Sequence, residues 1–109
     1  MATTYKVLGQ SNPSATTATT LYTVPASTST VVSTISVANL TGTAATFRIA
    51  IRPSGATLAN QHYLAYDVTV AASDTTVMTL GITLATTDVI TIYASTANLA
   101  FSAFGSELS

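Results

Sequence analysis

Cysteine is absent from the 109 residues, which excludes a disulfide framework and any thiolate metal site. Tryptophan is absent too, and with it the broadest surface for sugar stacking. Charge is scarce: three Lys or Arg stand against four Asp or Glu, and 6% of residues are charged, where an ordinary domain has about 25%. A net charge of -1 gives no electrostatic footprint for nucleic acid or an acidic membrane. No apolar run approaches the roughly 18–20 residues that span a bilayer. Met1 to Lys6 lacks the apolar core of a secretory signal, so the chain is expected to be made in a cytoplasm and to stay soluble or join an assembly there. Glu, Lys, Gln and Arg, the usual helix formers, are nearly missing.

Thr, Ser, Ala and Val fill the space. β-branched residues fit a pleated surface and lose rotamer freedom in a helix, so the expected fold is all-β. The central stretch is Ala45 to Arg52. Phe47, Ile49 and Ile51 alternate there with Thr46, Arg48, Ala50 and Arg52, which makes one apolar and one polar face of a strand. Pro53 ends the run.

Alternation and turn residues divide the remainder. Thr4 to Leu8 is the first strand, Gly9 to Ser14 a loop, and Ala15 to Thr20 an extended arm or weak edge; residues 9–19 together form a possible N-terminal arm. Thr20 to Val24 follows, with Leu21 and Thr23 on one face and Tyr22 and Val24 on the other. After a turn at Pro25 to Ser29 comes Thr30 to Leu40, with Val31, Ile35 and Val37 on one face and Val32, Thr34 and Ser36 on the other. Thr41-Gly42-Thr43 is expected to fold this strand back on Ala45 to Arg52 as a hairpin. Pro53 to Gln61 is the longest loop. Tyr63 to Val70 is the fifth strand, with Tyr66 in the core and Tyr63 exposed. Ala71 to Asp74 turns the chain into Thr75 to Leu80, continued past a kink by Gly81 to Leu84. Val89 to Ala94, with Ile90 and Ile92 inward, and Asn98 to Phe104 complete eight strands; Glu107 to Ser109 is a tail. Eight short strands at this spacing predict one antiparallel β-sandwich domain over residues 1–109, of jelly-roll or immunoglobulin-like topology. Thr23 to Val31 also echoes Thr69 to Val77, as two related halves of a sandwich would.

The sequence holds little catalytic chemistry. His62, the only histidine, could be joined on paper with Asp67 and a serine, but no Gly-x-Ser-x-Gly elbow accompanies it. Asp67, Asp74, Asp88 and Glu107 are scattered, without the spacing of a calcium loop or a carboxylate pair. No glycine-rich phosphate loop exists. Asn39-Leu40-Thr41 has the form of a glycosylation sequon, a coincidence in a chain without a secretory signal. Neither catalytic residues, nor a metal, nor a cofactor is expected. Arg48 and Arg52 stand about 13 Å apart on one strand face. They suit ion pairs with neighbouring subunits, solubility, or pairing with Asp67 inside the chain. Together with Tyr63, His62, Lys6 and Tyr5 they are the interface candidates. Asn60, Gln61, His62 and Tyr63 form the alternative, a glycan- or receptor-binding loop.

A folded chain of this size exposes roughly 5,700 Å², and seven charged side chains cannot cover it. Such surfaces favour association. Three runs fit this reading: Thr20-Leu21-Tyr22-Thr23-Val24-Pro25-Ala26, Val31 to Ile35 with Asn39, and Thr43 to Pro53. Over roughly residues 20 to 95, they resemble small virion structural proteins of tailed bacteriophages, including cyanophages. The resemblance implies a non-enzymatic capsid decoration or cement protein. Tail, neck or fibre accessories are its near neighbours. It also implies homo-oligomers, possibly trimers, and contacts with proteins such as the major capsid protein, with no nucleic acid, membrane or small-molecule substrate.

Overall fold

Eight strands alternate between two four-stranded antiparallel sheets. The computed structural model describes residues 2–109. In chain order the strands are β1 (Thr3–Ser11), β2 (Thr19–Thr23), β3 (Ser29–Asn39), β4 (Ala45–Arg52), β5 (Tyr63–Val70), β6 (Thr75–Leu84), β7 (Val89–Ala94) and β8 (Leu99–Leu108). One sheet has the order β1-β8-β3-β6, and the other the order β2-β7-β4-β5. This is the jelly-roll arrangement of the β-sandwich, and the immunoglobulin-like alternative is set aside.

The expected hairpin between the third and fourth strands does not form. β3 and β4 lie in different sheets, each flanked on both sides. Their apolar rows therefore face one another across the core instead of lying side by side. Val32, Ile35 and Val37 of β3 and Phe47 and Ile49 of β4 are all fully buried. Phe47 meets Phe101 of β8 edge to face, with centroids 6.0 Å apart. Burying each such ring is worth about 1.5–3 kcal/mol relative to leaving it in water. Asn39 fixes the crossing. Its Nδ2 donates to the carbonyl of Thr43 at 2.8 Å and to those of Val70 and Ala71 at 3.3 Å, and its Oδ1 accepts from the Thr41 backbone at 3.0 Å. A buried amide satisfied in this way ties the β3–β4 and β5–β6 connections together. It also leaves no free nitrogen for a glycan.

β-bulges account for the faces that alternation misassigns. The β3 register shifts between Val32 and Thr34, so Val32 joins Ile35 and Val37 inside, while Val31 and Thr34 turn outward. β2 shifts between Thr20 and Tyr22, and Leu21 and Tyr22 are both buried. In β5, Asp67 takes φ +52°, which Asp tolerates better than most residues. That step puts Ala65 in the core and Tyr66 outside, reversing the expected place of Tyr66.

Other boundaries also move. Gly9, Gln10 and Ser11 belong to β1, and Glu107 and Leu108 to β8, where a loop and a tail were expected. The remaining part of the expected arm is held to the domain: Asn12 Nδ2 donates to the carbonyls of Ala97 and Leu99, and the Thr16 amide to Ala94. β6 continues as one strand through the expected kink at Gly81, where φ is +61° and the register against β3 shifts. The echoed segments have the same shape. Each leaves an edge strand of one sheet, turns through a serine at φ +55° (Ser27) or +54° (Ser73), and enters a strand of the other sheet.

Gly105 marks the closest approach of two strands, since a Cβ there would lie 2.0 Å from the Val31 carbonyl oxygen. Gly105→Ala is expected to cost roughly 1–3 kcal/mol and to lower the melting temperature by about 4–8 °C per kcal/mol. Gly42→Ala, where the added carbon meets nothing within 4 Å, is the control and should leave it unchanged. Equal thermal midpoints for the two variants would refute this account of the β3–β8 contact.

Candidate functional site

Every charged side chain is bound within the chain. Lys6 Nζ lies 3.2 Å from Glu107 Oε1. Arg48 Nε donates to Asp67 Oδ1 at 2.7 Å, and its NH2 to Oδ2 at 3.3 Å. Arg52 donates to Thr91 Oγ1 at 2.9 Å and to the carbonyls of Gly55 and Ala56, holding the long loop against β7. Asp74 accepts from the Thr75 amide, and Asp88 from the amides of Ser54 and Ala85. Of the readings open for Arg48 and Arg52, pairing with Asp67 holds for Arg48, while Arg52 binds neutral groups of the chain. Such partly exposed pairs add little stability, but they cancel much of each other's field.

The outer face of the β1-β8-β3-β6 sheet carries little charge, with Lys6 at its β1 edge. Cross-strand partners share a face, so two rows can be read from the registers. One runs Val7, Phe104, Thr34, Thr79, and the other Gln10, Ser102, Ser36, Val77. Four strands about 4.8 Å apart and ten residues long present about 600 Å² of projected area. Tyr5, at 84% exposure, Val77, at 60%, Val7 and Phe104 stand out from it. Tyr5, Lys6, Val31, Ser33, Phe104, Gly105 and Ser106 line a shallow groove of about 470 Å³ at one end. Among these, Tyr5 was anticipated. Phe104 was legible too, because Leu99, Phe101 and Ala103 take the inner positions by simple alternation. Val7 and Val77 carried no signal of their own.

The other outer face gathers aromatics around Arg48. Its guanidinium lies 4.1 Å from the Tyr66 ring centroid and 4.4 Å from that of Tyr93. Tyr63 packs edge to face on Tyr66, with centroids 5.0 Å apart. The hydrogen bonds that Arg48 donates to the Asp67 carboxylate are the main cause holding its guanidinium above the usual pKa. His62 sits apart from this cluster, its Nδ1 accepting from the Ala59 amide at 3.0 Å in a local turn. Tyr5 and Lys6 lie on the opposite sheet, so the six interface candidates are not brought to one place.

Inside the sandwich, near the groove, Tyr22 OH donates to Glu107 Oε2 at 2.5 Å and lies 2.8 Å from Thr30 Oγ1. Burial first, and then the bond to Glu107, raise the Tyr22 pKa from 10.0 to about 12. The same bond is the main cause that lowers the Glu107 pKa below 4.5. This group joins β2 and β8 across the two sheets, a structural role. Among the described residues, no three His, Cys, Asp or Glu side chains cluster as a metal site would require, and no helix is long and apolar enough to cross a membrane.

No protein-family model, curated protein sequence or solved structure matches the chain. The phage resemblance therefore rests on the sequence runs quoted for it.

The Tyr22–Glu107 bond gives a prediction with a definite sign. Tyr22→Phe is expected to cost about 1–3 kcal/mol, the penalty for leaving partly buried partners unsatisfied. The wild-type advantage should hold between pH 4.5 and 10.0, the ordinary values of the two groups. Below pH 4.5 it should shrink as the folded Glu107 takes up its proton. Above pH 10.0 it should shrink as the unfolded tyrosine ionises while the folded one resists. Urea midpoints of both proteins from pH 3 to 11 read this directly. A difference independent of pH contradicts it.

Proposed function

We propose that this chain is a non-enzymatic structural protein of a bacteriophage particle, first of all a capsid decoration or cement protein. One observation carries the reading: all seven charged side chains are hydrogen-bonded within the chain, while a four-stranded outer face exposes Tyr5, Val7, Val77 and Phe104 with Lys6, held by Glu107, as the one charge at its edge. Such a face suits many-copy packing against protein, where burial is worth about 25 cal/mol per Å² before ordering costs. Its area approaches the roughly 800 Å² per partner of a standard interface. The jelly roll adds support by analogy alone, since viral capsid and lectin domains both use it. Tail, neck or fibre placement is the alternative within the same class.

A second reading, a glycan-binding module, has one observation in its favour: the Tyr63, Tyr66, Arg48 and Tyr93 cluster. It offers the exposed Tyr66 ring and the half-buried Tyr63 and Tyr93 rings beside a carboxylate and guanidinium that could orient hydroxyls. Its loop part, Asn60 to His62, adjoins Tyr63 in the chain.

Gold-labelled antibody on particles from a lysate carrying the gene tests the first reading. Label spaced regularly over the capsid is expected, and label at the tail selects the alternative placement. A chain left in the supernatant when particles sediment ends the virion reading. For the second reading, a panel of glycans titrated against labelled protein should shift resonances of residues 63–66 and 93; an unresponsive spectrum excludes it.

A further inference from the structure

A sandwich exposes four strand edges, each a row of unpaired amides and carbonyls that invites another strand. Three are blunted here. β1 carries Lys6 and comes so close to β2 that a Cβ on Gly9 would lie 2.3 Å from the Leu21 carbonyl oxygen. β2 has five residues and a register shift. β5 is bent at Asp67, which also places a charge on it. β6 differs: ten residues, Thr75–Leu84, without a charge or a proline. Its single interruption is Gly81. From Thr75 to Thr79 it stays in unbroken register with β3, opposite Ala38 to Thr34.

We propose that β6 joins two copies of this chain, pairing antiparallel with β6 of the second copy about a two-fold axis at Val77. The inference rests on the reading that the chain works by assembly, and it names the contact. A two-fold antiparallel pair sets Val77 against Val77, Thr75 against Thr79 and Thr76 against Met78. The strand is matched to itself in this register, because Val77 is flanked on its own face by threonine on both sides. β-branched residues opposite one another are favourable cross-strand pairs. No like charges meet, which is the usual penalty for self-pairing. Val77, 60% exposed in the single chain, gains a partner. The second copy is favoured over another protein's strand because the symmetric contact uses up both β6 edges. It then closes as a dimer, where a one-sided contact would continue into a fibre. The two outer faces become one eight-stranded surface with Lys6 at either outer edge.

Light scattering on size-exclusion fractions of the whole chain at high micromolar concentration tests this. The wild type should run at twice the 11.1 kDa chain mass. Val77→Lys and Val77→Glu should each run at the single-chain mass, since each sets a charge against itself, and an equimolar mixture of the two should recover the doubled mass. Leu40→Lys, at an exposed site elsewhere, should remain doubled. In the wild type, the amides of residues 75–79 should also exchange more slowly as concentration rises, a readout that needs no variant. If the wild type associates but neither substitution changes its mass, the β6 contact is wrong and the assembly reading stands. Two single-chain variants whose mixture does not recover the dimer overturn the axis at Val77. A wild type of single-chain mass overturns the β6 pairing, and the particle-labelling experiment then judges the assembly reading by itself.

Discussion

Keeping seven ionic groups bound within the chain is the constraint that shapes this molecule. All but Asp74, which caps its own turn, are placed where they tie two parts of the fold together. Lys6 and Glu107 join the paired strands β1 and β8 at one end of the sandwich, while Tyr22 reaches Glu107 from the opposite sheet. Arg48 and Asp67 pin the bend in β5 to the central strand β4. Arg52 and Asp88 hold the long loop after β4 from either side. The exterior that remains is made of hydroxyls, methyls and a few rings. Water is a poor partner for much of it, and another protein surface is a better one.

The jelly roll follows from this economy. Six of its seven connections carry the chain from one sheet to the other, so strands adjacent in sequence usually face each other across the core. The turns that make these crossings are small: Ser27, Ser73 and Thr87 each take the left-handed conformation at a corner. Asp74 and Asp88 then cap the backbone just after two of those corners. Turn chemistry, core packing and the few charges therefore specify one topology together.

Much of this was legible in the chain itself. The strands and their order in sequence follow from period-two alternation, and β4 reads correctly at Phe47 and Ile49, inside, and Arg48 and Arg52, outside, while Ala50, expected on the polar face, is buried and Ile51 is only half-buried. What alternation cannot carry is a change of parity. One extra residue at a bulge moves every later side chain to the other face. That is why Val31 and Tyr66 lie outside where the pattern put them inside, and why Leu21 and Tyr22 are buried together. Tyr66 matters most, because its reversal builds the aromatic cluster around Arg48. The third-to-fourth strand crossing was hidden for another reason. A short glycine-containing connection suits a hairpin as well as an arch, and the outcome depends on the distant Val70 and Ala71 carbonyls that Asn39 binds.

If the exterior offers little free charge because its ionic groups are held by the chain's own partners, contacts between copies owe little to Coulomb attraction, and salt should not weaken them. Sedimentation equilibrium in low and high sodium chloride measures this most directly. The expected result is a dissociation constant that stays level or falls as salt rises, since salts also strengthen apolar burial. A constant that rises steeply with salt would mean that the contact is held by charges facing outward, and would contradict the account.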